Sequence, residues 1–174
     1  MKHCIEKISA IPLTTQRFKC IFINRMTLMD STAFLPSSLD ELARTLTVSD
    51  HHFPIRRQWS EVAGEEYEEA REEKLKAATR KGIFPYDHVM GGDAQLKAEK
   101  CLPPREAFFN RLTNEGVSPR DYAFAGQVWN LFDCGSMMDY CRVYMETDVY
   151  LLAEAVMTMR KTLFEEFELD MLQY

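Results

Sequence analysis

Tyr144 and Asp148 stand four residues apart in a stretch with helical periodicity, so both side chains lie on one face of a helix, one turn apart. A phenol and a carboxylate at that spacing can share a water molecule, with the carboxylate holding a divalent cation beside it. Metal-bound water is the usual nucleophile of phosphodiester hydrolysis, and paired cations clamp the attacking and leaving oxygens. The spacing alone is not specific, because a Tyr–Asp pair one turn apart is equally a structural pair. The apolar run that follows, Val149-Tyr-Leu-Leu-Ala153, predicts a helix buried on most sides. An acid on a buried helix requires a partner or a metal, which favours a chemical role for Asp148.

The segments that must position this pair are legible in outline. Met1 to Asp30 is strand material: Phe18–Ile23 and Met26–Met29 are apolar runs separated by Asn24-Arg25, a short turn. Ser37 or Ser38 can cap a helix bearing Leu39, Leu42, Ala43 and Leu46 on one side. Asp50–Trp59 reads as irregular, and Trp59–Lys81 as a charged helix ended by Gly82 and Pro85. The glutamates gather in its first half and Lys74, Lys76, Arg80 and Lys81 in its second, the order that suits the helix dipole. Met90–Cys101 reads as a loop, Arg105–Leu112 as a short helix stopped by Asn114-Glu-Gly116. Ser118-Pro-Arg-Asp121 and Ser136-x-x-Asp139 are both helix starts, the second opening a long helix to Phe167. The fold class expected is α/β: a short β-hairpin or sheet remnant followed by several helices.

Several motifs fall in an order that resembles one family. Tyr144-Met-Glu-Thr-Asp-Val-Tyr-Leu-Leu-Ala-Glu154 looks like the third exonuclease motif of protein-primed family B DNA polymerases, the organellar and viral type carried also by large self-synthesising transposons. Met29–Asp40 is similar to that family's D-S … F-L … S-S-L-D segment, and Arg80–Tyr86 to its R-K-G-x-aromatic-P-Y turn. Leu102–Phe108 resembles its L-P-P-x-x-x-F helix, and Asp121-Tyr122, Val128-Trp129 and Met138-Asp-Tyr140 follow in sequence. The likeness covers roughly residues 8–174 and implies a partial ribonuclease H-like exonuclease fold across residues 1–174.

The resemblance also implies roles. Asp148 corresponds to a metal ligand for Mg2+ or Mn2+, Tyr144 to the residue that orients the attacking water, and Lys81 to the lysine that supports the scissile phosphate. Lys81 reads equally well as a cation at the end of a helix. Ser31 resembles the family's single-strand-binding serine, with Thr32 where a bulky residue is usual; Asp30 and Ser31 could as well close a strand and start a turn. Cys141 stands where many relatives have His. The partners implied are single-stranded DNA or a primer terminus, and the rest of a polymerase.

The family's first motif, D-x-E, is absent, since no aspartate of the chain is followed two residues later by Glu. For the second motif, Asn24 … Asp30 has the wrong spacing. Both motifs are expected upstream of Met1, and the palm and finger motifs downstream of Tyr174. A lone Asp148 cannot place two cations, each of which needs several oxygen ligands. The expectation is a chain without exonuclease or polymerase activity of its own and without stable metal binding. Lacking upstream strands, Phe18–Ile23 is expected to be an open apolar edge.

Composition limits the alternatives. The 174 residues carry a net charge of −6, with Glu61, Glu65, Glu66, Glu68, Glu69, Glu72 and Glu73 concentrating the acid. An autonomous nucleic-acid binder is more often basic, so the overall charge argues mildly against DNA binding and leaves a local groove open. The five cysteines show no ligand spacing for zinc. No apolar run reaches the ~20 residues of a membrane span, and Lys2, Glu6 and Lys7 interrupt any signal-like N-terminus. An intracellular, reduced and soluble protein is expected, with its compartment open. A non-catalytic single-strand-binding or interaction module is the competing functional class.

Overall fold

The computed structural model describes residues 8–15, 17–46 and 68–173. The irregular stretch expected at Asp50–Trp59, and the first part of the charged helix, lie outside these residues. The described chain is mixed α/β, with a three-stranded antiparallel sheet and five α-helices. It divides into two compact units, one of residues 1–38 with 159–174 and one of residues 39–158.

The first unit holds the sheet: β1 (Ile8–Pro12), β2 (Phe18–Ile23) and β3 (Met26–Met29), in the order β1-β2-β3. The expected hairpin is present, with Cys20 opposite Met29 and Ile23 opposite Met26. Asn24 takes a positive φ of 54°, a conformation Asn tolerates better than most residues and which tight hairpin turns need. β1 pairs with the other side of β2, from Ile8 opposite Ile23 to Pro12 opposite Phe18, with an irregularity at Ile11/Pro12. The expected open edge at Phe18–Ile23 is thereby corrected. β2 is the middle strand, because the chain before it supplies a partner of matching apolar pattern. The edges are β1 and β3, and Pro12, which has no N–H to donate, sits on one of them as strand prolines do. Cys20 alone among the strand residues is buried, while Ile8, Met26 and Leu28 are more than half exposed.

After β3, the Asp30 carboxylate accepts the Thr32 N–H at 3.0 Å and caps a single 3-10 turn, Ser31–Ala33. At the end of the chain Arg160 makes a fork to Asp170, Nε to Oδ1 at 2.8 Å and Nη2 to Oδ2 at 2.5 Å. That bidentate geometry holds the Asp170 carboxyl below its ordinary range.

The second unit contains α1 (Leu39–Thr45), α2 (Glu68–Ala78), α3 (Gly92–Ala98), α4 (Pro119–Leu131) and most of α5 (Met137–Phe167). The serine caps predicted at Ser118 and Ser136 form. Ser118 Oγ accepts the Asp121 N–H at 3.1 Å and its hydroxyl donates to the Asp121 carboxylate at 2.6 Å. Ser136 repeats this with Asp139, at 3.4 and 2.7 Å. The core gathers Leu96, Ala125, Cys134, Met137 and Tyr140, with Phe84, Trp129 and Phe132 packed against them.

Three sequence expectations are corrected in this unit. Residues 92–98 form α3 rather than loop; the short helix is entered at Gly92, whose φ is +63°, and only Leu96 of it is buried, too little for an amphipathic signal. The helix expected at Arg105–Leu112 is a single 3-10 turn, Arg105–Phe108. Beyond it Asn110 Oδ1 takes the N–H groups of Leu112 and Thr113, competing with helical bonding, and Asn110 bridges to Glu115. Finally, α5 is not buried on most sides. Its buried face is Tyr140, Tyr144, Thr147, Leu151, Glu154 and Ala155, whereas Val149 is 64% exposed.

Candidate functional site

α2 ends at Ala78, and Thr79 Oγ1 donates to the Lys76 carbonyl at 2.7 Å at its terminus. The chain then runs without helix or strand through Lys81, Gly82, Ile83 and Phe84 to the buried Pro85. This segment is pinned to α5 by tyrosines one turn apart. The Tyr140 hydroxyl donates to the Ile83 carbonyl at 2.7 Å. The Phe84 ring lies 5.2 Å from that of Tyr144 and stacks at 6.3 Å on that of Tyr140. At Gly82 the approach is close: a Cβ there would sit 3.2 Å from Tyr144 Cδ2.

This packing delivers Lys81 to the tyrosine and aspartate. Lys81 Nζ donates to Asp148 Oδ2 at 2.7 Å and to the Tyr144 hydroxyl at 3.1 Å. Its ammonium also lies 5.3 Å from the centroid of the Tyr144 ring. The lysine and aspartate side chains are 29% and 23% exposed, so the pair is only partly screened by water. Three of the residues singled out in the sequence are thus brought together. Ser31 and Thr32 belong to the other unit, where Ser31 opens the 3-10 turn, half-buried, and Thr32 is exposed. Cys141, three residues before Tyr144, is half-buried with its Sγ 3.9 Å from Met145 Sδ.

A fourth member, Tyr86, was missed by sequence reasoning. Its hydroxyl lies 2.7 Å from that of Tyr144, and the two rings meet edge to face at 6.1 Å. Tyr86 closes the same Arg80–Tyr86 segment that contains Lys81, and the reversal at Pro85 turns it back; the proline was the available signal. Burial, then the Tyr86 hydrogen bond, then the Asp148 charge push the Tyr144 phenol far above its ordinary range. Tyr144 therefore stays protonated in neutral solution. It can accept from Lys81 and donate onward, which suits the positioning of a small polar group and not proton abstraction.

Mg2+ or Mn2+, implied by the family resemblance, can be tested against these atoms. Asp148 Oδ1 is buried with no hydrogen-bond partner, as a waiting ligand oxygen would be. Oδ2, however, is held by the Lys81 ammonium. Among the described residues no group of three or more His, Cys, Asp or Glu side chains is placed to hold an ion. The described residues supply one ligand and do not by themselves fit a two-ion centre.

Comparisons of the chain with protein-family models, with curated proteins and with solved structures find no match. Among the described residues no helix is long and apolar enough to cross a membrane.

Proposed function

We propose that this chain is the third-motif region of the 3′–5′ exonuclease domain of a protein-primed family B DNA polymerase, ribonuclease H-like in fold and inactive by itself. The observation that supports this reading is the meeting of Lys81 and Asp148. They are separated by 67 residues, were assigned to one phosphate-handling site by different motifs, and touch at 2.7 Å beside Tyr144. In this reading Lys81 supports a phosphate, Tyr144 orients a water and Asp148 is one of several carboxylates. Asp148 would hold Mg2+ or Mn2+ only together with carboxylates from the family's other motifs, and a metal so held would supply Lewis-acid activation of water. A single-strand-binding module without catalysis is the second reading, favoured by the position of Lys81 at the rim of an arginine-lined cleft.

The test is a nuclease assay on the recombinant chain with labelled single-stranded DNA and magnesium or manganese, joined to sequencing of the DNA that flanks the coding segment. No degradation is expected, with a D-x-E frame upstream and a polymerase palm downstream. Degradation abolished by Asp148→Ala would overturn the inactivity. Flanks without either motif, intact or decayed, would overturn the family assignment.

A further inference from the structure

Beside the Lys81–Tyr144–Asp148 cluster, and within the same unit, lies a cleft of about 540 Å3. Its walls come from α1 (Asp40, Ala43, Arg44), from the end of the α2 segment (Thr79, Arg80, Lys81) and from the start of α4 (Ser118, Arg120, Asp121). Four cations line the cleft with two carboxylates, and with Lys81 also paired to Asp148 one positive charge is left over, on a chain whose net charge is −6.

The pairing inside the cleft leaves donors over. Asp40 takes one nitrogen of Arg44 at 2.7 Å, an exposed i,i+4 contact that binds weakly. Asp121 takes Arg80 Nη2, and the Arg80 guanidinium lies over the Phe124 ring at 4.5 Å. No ion pair involving Arg120 is formed among the described residues. Its backbone N–H, near the start of a 13-residue helix, has no acceptor within the helix. Guanidinium groups match phosphate oxygens two at a time. The lining has no aromatic ring and one small apolar side chain, Ala43, so nothing in it would stack a base. Charge and donor geometry are what this cleft can recognise.

We propose, resting on the functional reading above for the identity of the strand, that the cleft binds backbone phosphates of single-stranded nucleic acid. Arg120 and Arg44 contact phosphates next to the one held at Lys81. Lys81 belongs to both places, lining the cleft and pairing with Asp148, and joins them into one track. Because recognition is of phosphate and not of bases, binding is indifferent to sequence and falls steeply with salt.

The experiment titrates the full chain into fluorescein-labelled oligothymidylate at several salt concentrations, with inorganic pyrophosphate as competitor. Wild type is compared with Arg120→Gln, Arg44→Gln and Lys81→Gln, each checked for fold by circular dichroism. Arg120→Gln and Arg44→Gln are each expected to weaken binding several-fold and to lower the slope of log affinity against log salt by about 0.7, the loss of one phosphate contact on a single strand. Pyrophosphate is expected to displace the strand from wild type and less so from Arg120→Gln. If Lys81→Gln weakens binding while both arginine variants match wild type, the cleft proposal is overturned and the reading of Lys81 stands. If the arginine variants weaken binding and Lys81→Gln does not, the cleft stands as a phosphate site and the reading of Lys81 fails. Wild type that shows no salt-dependent binding overturns both.

Discussion

Tyr140→Phe is the most direct probe of how the candidate site is held. Tyr140 is 2% exposed, and its hydroxyl makes one described bond, to the Ile83 carbonyl at 2.7 Å. Burial, then the nearby Cys134, pushes its phenol well above the ordinary range, so it remains a donor in neutral solution. Phenylalanine keeps the ring and its packing on Trp129 at 5.9 Å and Phe84 at 6.3 Å. What is lost is one hydrogen bond, about 1 kcal/mol net, with a further cost for leaving the Ile83 carbonyl unpaired; together this comes to about 1–2.5 kcal/mol. With a urea m-value of about 2 kcal/mol/M, the unfolding midpoint falls by about 0.5–1.25 M. Tyr140→Ala, which also removes the ring, is expected to cost about 3–5 kcal/mol. Equilibrium unfolding in urea, followed by circular dichroism and tryptophan fluorescence, measures both. A Tyr140→Phe midpoint equal to wild type, with Tyr140→Ala strongly shifted, would refute the hydroxyl as the anchor of the Lys81 segment and leave only the ring.

Two further outcomes follow from the charges. A double-mutant cycle of Lys81→Gln and Asp148→Asn is expected to give a coupling of about 1 kcal/mol, surviving moderate salt because the pair is partly buried. The corresponding cycle for Lys161–Glu165, 3.8 Å apart and 69% and 62% exposed, is expected to give nothing measurable; equal couplings would refute the distinction. Asp139 has its carboxyl lowered, first by the Ser136 hydroxyl, so the protonated form is the one disfavoured by folding. Its stabilisation is therefore present above the unfolded carboxyl value of about 3.9 and lost as pH falls through the lower folded value. Urea midpoints taken from pH 5 down to pH 2 should drop less for Asp139→Asn than for wild type, and parallel curves would count against the cap.

Local rules carried much of the fold into the sequence. Ser118 and Ser136 announce α4 and α5 because a cap needs only a side-chain oxygen and an N–H within one turn. The β2–β3 hairpin is legible for the same reason, with Asn24 at its turn. What escaped depends on partners distant in sequence. The apolar run of α5 reads as buried on most sides, yet only the face bearing Leu151 and Ala155 is covered while Val149 faces out. Likewise the local pattern of β1 does not name its partner, which its register on β2 supplies. At the site, Tyr144 and Asp148 share a helix face by spacing alone, but Tyr86 arrives through the Pro85 reversal, which fixes no direction by itself.

Lys81 is where the two halves of the proposed function constrain each other. One ammonium holds Asp148 Oδ2 at 2.7 Å and also lines the cleft. In the chain as it stands, that ammonium neutralises the half-buried carboxylate, which would otherwise lack a charged partner. A cation delivered to Asp148 Oδ1, the unpartnered oxygen, would be repelled by the ammonium held on Oδ2. A phosphate bound in the cleft would draw the same ammonium the other way and make room for it. If the cleft binds a strand as proposed, strand binding and exposure of the Asp148 carboxylate would be linked, each favouring the other by the same free energy. A nuclease site assembled on this scaffold would be quiet without a strand, because its lysine satisfies the acid until a phosphate arrives.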